Sequence, residues 1–219
     1  MTLGFYLQGH PITLYEDELA AIVSTPLNRI SAGSAVIAGY IEAIRTRPGR
    51  RGRTAEICLD DRTARLYATL YSETYQEYRN MLHKDRLVIA VGEAVEDDYY
   101  DVGFAFKVDR LYALDEIRAA CGELILSLHE EGMKAGLLDG IKALLLEHQG
   151  GSRPVRMHYI RNGVTADITP GQSWRVDIND KLLEDMRNLL GRDNVSIDYR
   201  DVRRFLHSAP RLKRASGIN

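Results

Sequence analysis

The chain has 219 residues, of which 45% are hydrophobic and 27% charged, with a formal net charge of −2. That composition belongs to a globular chain of one or two domains, at the usual size of about 150 residues each, and excludes wholesale disorder. The apolar runs, such as Leu87 to Val91, fall far short of the roughly 18 residues that cross a bilayer, and no charged-then-apolar signal segment opens the chain, so a cytoplasmic location without membrane contact is expected.

Gly4-Phe5-Tyr6-Leu7-Gln8-Gly9-His10-Pro11-Ile12 comes first, with Gly9, His10 and Pro11 as a turn into a short helix over Tyr15 to Ile22. Residues 1–31 read as a linker segment. Ala35 to Arg45 read as a strand in which Gly39 marks a bend or bulge. Arg45, Arg47, Arg50, Arg51 and Arg53 then fall in one stretch, broken by Pro48, Gly49 and Gly52 and by no acidic residue, which reads as a basic loop. Ala55, Ile57 and Leu59 alternate with polar positions, Asp60-Asp61-Arg62-Thr63 turns the chain, and Leu66, Ala68 and Leu70 complete a β-hairpin. Ser72 is a candidate cap for a short helix with Tyr75, Tyr78 and Leu82 on one face, and Leu87 to Val95 return as a strand. After an acidic turn holding Glu96, Asp97, Asp98 and Asp101, Phe104, Phe106 and Val108 face one way and Ala105, Lys107 and Asp109 the other.

Strand, strand, strand, helix, strand, strand is the order of the five-stranded OB-fold barrel, expected here over residues 32–118, whose strand face and flanking loops often bind oligonucleotides. Alternation sets Arg65, Tyr67, Thr69 and Tyr71 opposite the core. Single-strand binders combine cations for phosphates with aromatic platforms for bases. The candidates for that work are Arg45, Arg47, Arg50, Arg51, Arg53, Arg65, Tyr67, Tyr99, Tyr100 and Lys107. The competing reading is a protein-interaction module, because arginine-rich turns are commonly solvated, exposed tyrosines often pack on neighbouring domains, and a carboxylate-rich rim repels phosphate. Five carboxylates in and beside one turn, Glu93 included, read as a solvated loop and not as a metal site.

The pattern changes after Arg118. Leu124, Leu126 and Leu128 alternate as a strand, Leu137, Leu138, Ile141, Leu144 and Leu145 share a helical face, and Val155, Met157 and Tyr159 alternate again. Asn162-Gly163 signals a hairpin into Val164, Ala166 and Ile168. Trp174 and Val176 continue an extended pattern, Asn179 or Asp180 caps a helix carrying Leu182, Leu183, Met186, Leu189 and Leu190, and Val195, Ile197 and Tyr199 close with a strand. The order βαββαβ predicts a small α+β sandwich of ferredoxin-like order over residues 119–199. Residues 200–219 read as a flexible basic tail. His129-Glu130-Glu131 and His158 are isolated, no serine or cysteine has a nucleophile context, and Gly132, Gly136 and Gly140 flank a helix, so no catalytic set, metal site or cofactor is expected. Cys58 and Cys121 read as inert buried thiols.

The Gly4 to Ile12 motif resembles the signature that precedes the OB domain in the alpha subunit of bacterial DNA polymerase III, the C-family replicative polymerase. Cys58-Leu59-Asp60-Asp61-Arg62-Thr63, Lys84-Asp85-Arg86-Leu87-Val88 and Leu114-Asp115-Glu116-Ile117-Arg118 resemble successive blocks of that domain, in the same order. Departures are Ala64, where a turn glycine is common, and Tyr71, where phenylalanine is common. Pro154-Val155 and Trp174-Arg175-Val176 resemble the C-terminal domain of the same subunit. The resemblance implies a non-catalytic piece of a replisome enzyme, whose OB domain meets single-stranded template and whose last domain binds tau, the clamp-loader subunit, with the other polymerase domains as neighbours. Neither the paired aspartates of the polymerase palm nor the clamp-binding peptide is identifiable. Met1 before Thr2-Leu3-Gly4 implies a start inside a longer gene.

Overall fold

Period-two burial governs the first half of the chain, and barrel closure follows from it. The computed structural model describes residues 11–49 and 52–208. The Gly4 to Ile12 motif therefore lies almost wholly outside the described residues, as do Arg50 and Arg51. The chain divides into two units, residues 1–114 with 206–219, and residues 115–205. The division falls at the start of a helix, α3 (Leu114–Cys121), close to Arg118, and residues 206–208 group with the first unit.

In the first unit a short helix, α1 (Glu16–Ile22), precedes β1 (Gly33–Gly49), β2 (Gly52–Asp60), β3 (Arg65–Leu70), α2 (Ser72–Tyr78), β4 (Leu87–Glu96) and β5 (Phe104–Tyr112). The strands close a barrel in the order β1-β2-β3-β5-β4. Neighbouring strands are antiparallel except β3 and β5, which meet in parallel where Ala68 faces Phe106 and Thr69 faces Lys107. This is the OB topology, with its helix between the third and fourth strands. Ile37, Ile41, Ile57, Leu59, Leu66, Leu70, Val88, Phe106 and Leu111 fill the interior. Each such side chain contributes about 1.5–3 kcal/mol on burial.

Two expectations about the strands change. The expected basic loop is mostly ladder, because Arg45 pairs with Glu56, Arg47 with Thr54, Pro48 with Arg53 and Gly49 with Gly52. The first two strands thus run as one long hairpin as far as Gly49 and Gly52. The bulge in β1 lies between Ile41 and Ala43 and not at Gly39. The helix α2 also starts differently, since Tyr71 occupies the capping position and no side chain makes the cap bond.

The turn after β2 is tied down by Asp61. Its Oδ1 accepts from Thr63 N at 2.8 Å and Ala64 N at 3.0 Å, while Oδ2 accepts from Leu27 N at 2.8 Å. The left-handed residue there is Arg62, at φ 75°. Position 64 therefore does not require the glycine that is common in related sequences.

The second unit comprises β6 (Glu123–His129), α4 (Leu137–Glu147), β7 (Gln149–Arg153), β8 (Val155–Arg161), β9 (Val164–Ile168), α5 (Asp180–Leu190) and β10 (Val195–Asp198). The helices bury Ile141, Leu145, Leu182, Leu183 and Met186 against Leu124, Leu126, Leu128, Val155 and Val195 of the sheet. Asn179 caps α5 as expected, its Oδ1 accepting from Leu182 N at 3.0 Å. The α+β sandwich is present, but its strand order is β10-β6-β8-β9 and not ferredoxin-like. A ferredoxin-like sheet places the second hairpin strand between the other two. Here β8 pairs in parallel with β6, and β9 is left at the edge. Side-chain burial accords with this order, since every residue of the edge strand β9 is exposed whereas Val155 of β8 is 2% exposed.

Four further details differ from the sequence reading. The segment β7 was not expected, Trp174 sits in a short 3-10 turn, and Val176 makes only isolated bridges to Gln149 and Arg153. Residues 202–208 are helical (α6, Val202–Ser208) with Val202 and Leu206 buried, so this part of the expected tail is ordered by its apolar positions. In α3 the guanidinium of Arg118, 1% exposed, reaches Asp115 at 3.1 Å and Asp180 at 2.7 Å, linking α3 to the start of α5.

Strands β4 and β5 approach closely at Gly92, where an added Cβ would lie 2.0 Å from the Lys107 carbonyl oxygen. Gly92→Ala is expected to destabilise the barrel by about 3 kcal/mol, the upper range for overpacking. Urea unfolding measures this, and a variant of unchanged stability would contradict the β4–β5 register.

Candidate nucleic-acid interface

The outward face of the barrel collects residues that the pleat excludes from its core. Beyond the β1 bulge, Arg45 and Arg47 point away from the interior and stand over the outward positions of β2, namely Thr54 and Glu56. Strand β3 contributes Tyr67 and Thr69, Tyr71 follows at its end, and β5 contributes Lys107 beside Thr69. The loop between β4 and β5 reaches the same place. Arg45, Arg47, Glu56, Tyr67, Tyr99, Tyr100 and Asp101 together line a cleft of about 420 Å³.

The aromatic part of the cleft is pre-assembled. The rings of Tyr67 and Tyr100 stack at 4.8 Å with 25° between their planes, and Tyr99 meets Tyr100 edge-on at 5.2 Å and 85°. Tyr100 is held in place because its hydroxyl donates to Glu56 Oε2 at 3.1 Å. The acidic loop is itself a structured turn. Asp97 Oδ1 accepts from Tyr99 N at 3.0 Å, Asp97 O accepts from Tyr100 N at 3.2 Å, and Gly103 O accepts from Asp97 N at 3.0 Å. The Asp97 carboxylate thus shapes the loop. Tyr99 is left 87% exposed, an open ring for a partner to stack upon.

The cationic part is smaller than the sequence suggests. Arg45 and Arg47 face the cleft, and among the described residues neither guanidinium has a carboxylate within ion-pair distance. Arg53 pairs with Pro48, and alternation along β2 sends its side chain to the opposite face of the hairpin. Arg65 is outward but occupied, with its Nε 2.6 Å from Glu42 Oε2 and 3.6 Å from Asp60 Oδ2. Lys107 stands 6.0 Å from the ring centroid of Tyr71. Glu56 and Asp101 offset the two cleft arginines, so the site pairs local rather than net positive charge with extensive aromatic surface. Glu56, Asp101 and Thr54 were not among the predicted site residues, whereas alternation already sets Tyr71 in the outward row. Cross-strand register brings in Glu56 and Thr54, and the β4–β5 loop brings in Asp101.

No group of His, Cys, Asp and Glu among the described residues is arranged to hold a metal ion. Burial pushes the Cys58 and Cys121 thiols up, away from the reactive thiolate. No helix of the described residues is long and apolar enough to cross a membrane.

Residues 140–191 match the family described as DNA polymerase III subunit alpha, C-terminal domain. Across a longer span, the chain is 34% identical over 203 residues to DNA polymerase III subunit alpha of Pseudomonas aeruginosa, covering 91% of this chain and 17% of that protein. The same subunit of Escherichia coli O157:H7 is 32% identical over 205 residues, covering 90% of this chain and 18% of its own length. The chain therefore spans less than a fifth of these relatives. Among solved structures, a domain of replication protein A from Methanococcus maripaludis aligns with 41% of this chain and 93% of its own at 14% identity and a TM-score of 0.34, a likeness too slight to carry weight.

Burial first, and the neighbouring Glu56 charge second, raise the Tyr100 hydroxyl above the ordinary phenol value of about 10. A folded value above the unfolded one means that the contribution of the protonated hydroxyl is complete below about pH 10 and is lost as pH climbs through the raised value. The pair Tyr100–Glu56 therefore persists at neutral pH. In ultraviolet difference titration, with Tyr100→Phe identifying the signal, Tyr100 should ionise after an unperturbed tyrosine, and Glu56→Gln should bring it part of the way back. Ionisation of Tyr100 at the ordinary value in the unaltered chain would contradict the geometry.

Proposed function

We propose that this chain, a relative of the C-terminal part of bacterial DNA polymerase III alpha subunits, is a non-catalytic replisome segment whose barrel binds single-stranded DNA and whose second unit binds the clamp-loader tau subunit. The observation that carries the DNA reading is the Arg45–Arg47–Tyr67–Tyr99–Tyr100 cleft on the outward face of an OB barrel. Aromatic stacking is worth roughly 1–3 kcal/mol per base and tolerates any sequence, because every base has a π-face. The arginines would take the adjoining phosphates. This division suits a template strand, which must be held without regard to its sequence. Polymerisation itself would belong to other parts of the longer alpha subunit.

Fluorescence anisotropy with labelled single-stranded DNA, across a salt series, tests the barrel. Replacing Arg45 and Arg47 together by alanine should weaken binding and flatten the log–log salt slope by about 1.4, at roughly 0.7 per single-strand phosphate contact. Unchanged affinity and slope would remove the arginines from the site. The second reading, a purely protein-binding barrel, is favoured by Glu56 and Asp101 within the cleft, and absence of DNA binding by the unaltered chain would select it.

For tau, the supporting feature is β9. It is an edge strand with one side of its backbone unpaired in the sheet, and Val164 and Ile168 on it are 70% and 52% exposed. Strand edges of this kind are templates for partner segments. The double variant Val164→Asp, Ile168→Asp should lower tau capture in co-purification by at least about ten-fold, on the scale of two lost apolar contacts, while leaving DNA affinity intact. Full capture would place the tau surface elsewhere.

A further inference from the structure

We infer that a second cavity on the outward face of the barrel, beside Tyr71, is a nucleobase subsite for the same strand. This rests on the single-strand reading above and extends it beyond the tyrosine cleft. The cavity holds about 720 Å³ and is bounded by Gly52 and Thr54 of the hairpin, Tyr71 and Glu73 at the entry to α2, and Lys107 and Asp109 of β5. Tyr71 is 53% exposed and lies four residues beyond Tyr67, about 13 Å along the strand at 3.3 Å per residue. A strand crossing the face from the cleft would thus meet a second aromatic wall.

The chemistry of the lining identifies which part of a nucleotide it accepts. Lys107, Glu73 and Asp109 set charges of both signs around the Tyr71 ring. The Tyr71 ring, half exposed with the Lys107 ammonium over it at 6.0 Å, offers a stacking surface for a base. The Thr54 hydroxyl offers a hydrogen-bonding group to the edge of the base. Space for the base depends on the hairpin. Gly52 has φ +117°, and even a Cβ there would come within 3.1 Å of Ser72 Cβ, so the backbone passes close to α2 and no larger side chain projects into the cavity from that position. Phosphates then remain with Arg45 and Arg47.

The test is anisotropy with a single-stranded oligonucleotide of about twelve residues, within the span usual for one OB fold. Tyr71→Ala should weaken binding by about ten-fold, within the range for loss of one stacked base, with an unchanged salt slope. Tyr71→Phe should retain the affinity. Thr54→Tyr, which fills the cavity from the opposite wall, should weaken binding as Tyr71→Ala does, and thermal unfolding of each variant establishes that it is folded. Full affinity in both cavity variants overturns the subsite, as does a flattened salt slope in Tyr71→Ala, which would make the contact one to phosphate. The two readings fail differently. If the unaltered chain binds no oligonucleotide, strand binding itself is refuted. If it binds, and only the arginine replacement weakens it, the cleft stands and the Tyr71 subsite falls.

Discussion

Closure of the barrel by the short parallel contact between β3 and β5 is the constraint on which the functional face depends. Ala68 opposite Phe106 turns both side chains into the core, and the neighbouring pair, Thr69 opposite Lys107, must then face outward. That one register brings an ammonium from the end of the chain's first half beside the tyrosines of β3. It also fixes where β4 and β5 leave the barrel, and so where their loop delivers Tyr99 and Tyr100. The close approach at Gly92 is part of the same constraint, because β4 can follow β5 into the closed sheet only where no side chain intervenes.

A long first hairpin does the complementary work. Its ladder continues past the barrel to Gly49 and Gly52, so Arg45 and Arg47 are held on a strand. Strands fix side-chain direction better than loops do, at the expense of number. Of five arginines close in sequence, two reach the cleft, one points away, and two lie outside the described residues. The resulting face is aromatic first and cationic second, with carboxylates used internally. Glu56 holds Tyr100, Asp97 shapes the loop, and Glu42 with Asp60 occupies Arg65. Exposed pairs such as the last contribute little stability, so their consequence here is to cancel charge.

Much of this was legible in the sequence because period-two alternation is a strong signal. Ala55, Ile57 and Leu59 set the inward face of β2, Leu66, Ala68 and Leu70 that of β3, and the outward positions followed by subtraction, so Tyr67 and Lys107 were identifiable as surface residues. What alternation cannot convey is pairing between strands. Arg53 resembles Arg45 in a loop, but the ladder that extends β2 to Gly52 puts it in phase with Ala55 and Ile57, and Glu56 is an ordinary polar strand residue until the β4–β5 loop delivers Tyr100 to it. In the second unit the order of elements was readable, yet two sheet topologies share that order. The difference lay in which hairpin strand carries apolar residues that find cover. Val155 is buried among the helix residues of the second core and Val164 is not. The helix at 202–208 was concealed by the basic residues around its two buried apolar positions.

The two units therefore present different kinds of surface. The barrel face has open rings beside charge, suited to a flexible polyanion with stacked bases, whereas β9 offers backbone and aliphatic side chains, suited to a protein segment. The most direct measurement of the central claim is a backbone-amide NMR titration of the chain with single-stranded DNA. The account predicts that shifts concentrate on residues 45–47, 54–56, 67–71, 99–101 and 107, with β9 unaffected. Shifts confined to the second unit, or none at saturating DNA, would contradict it.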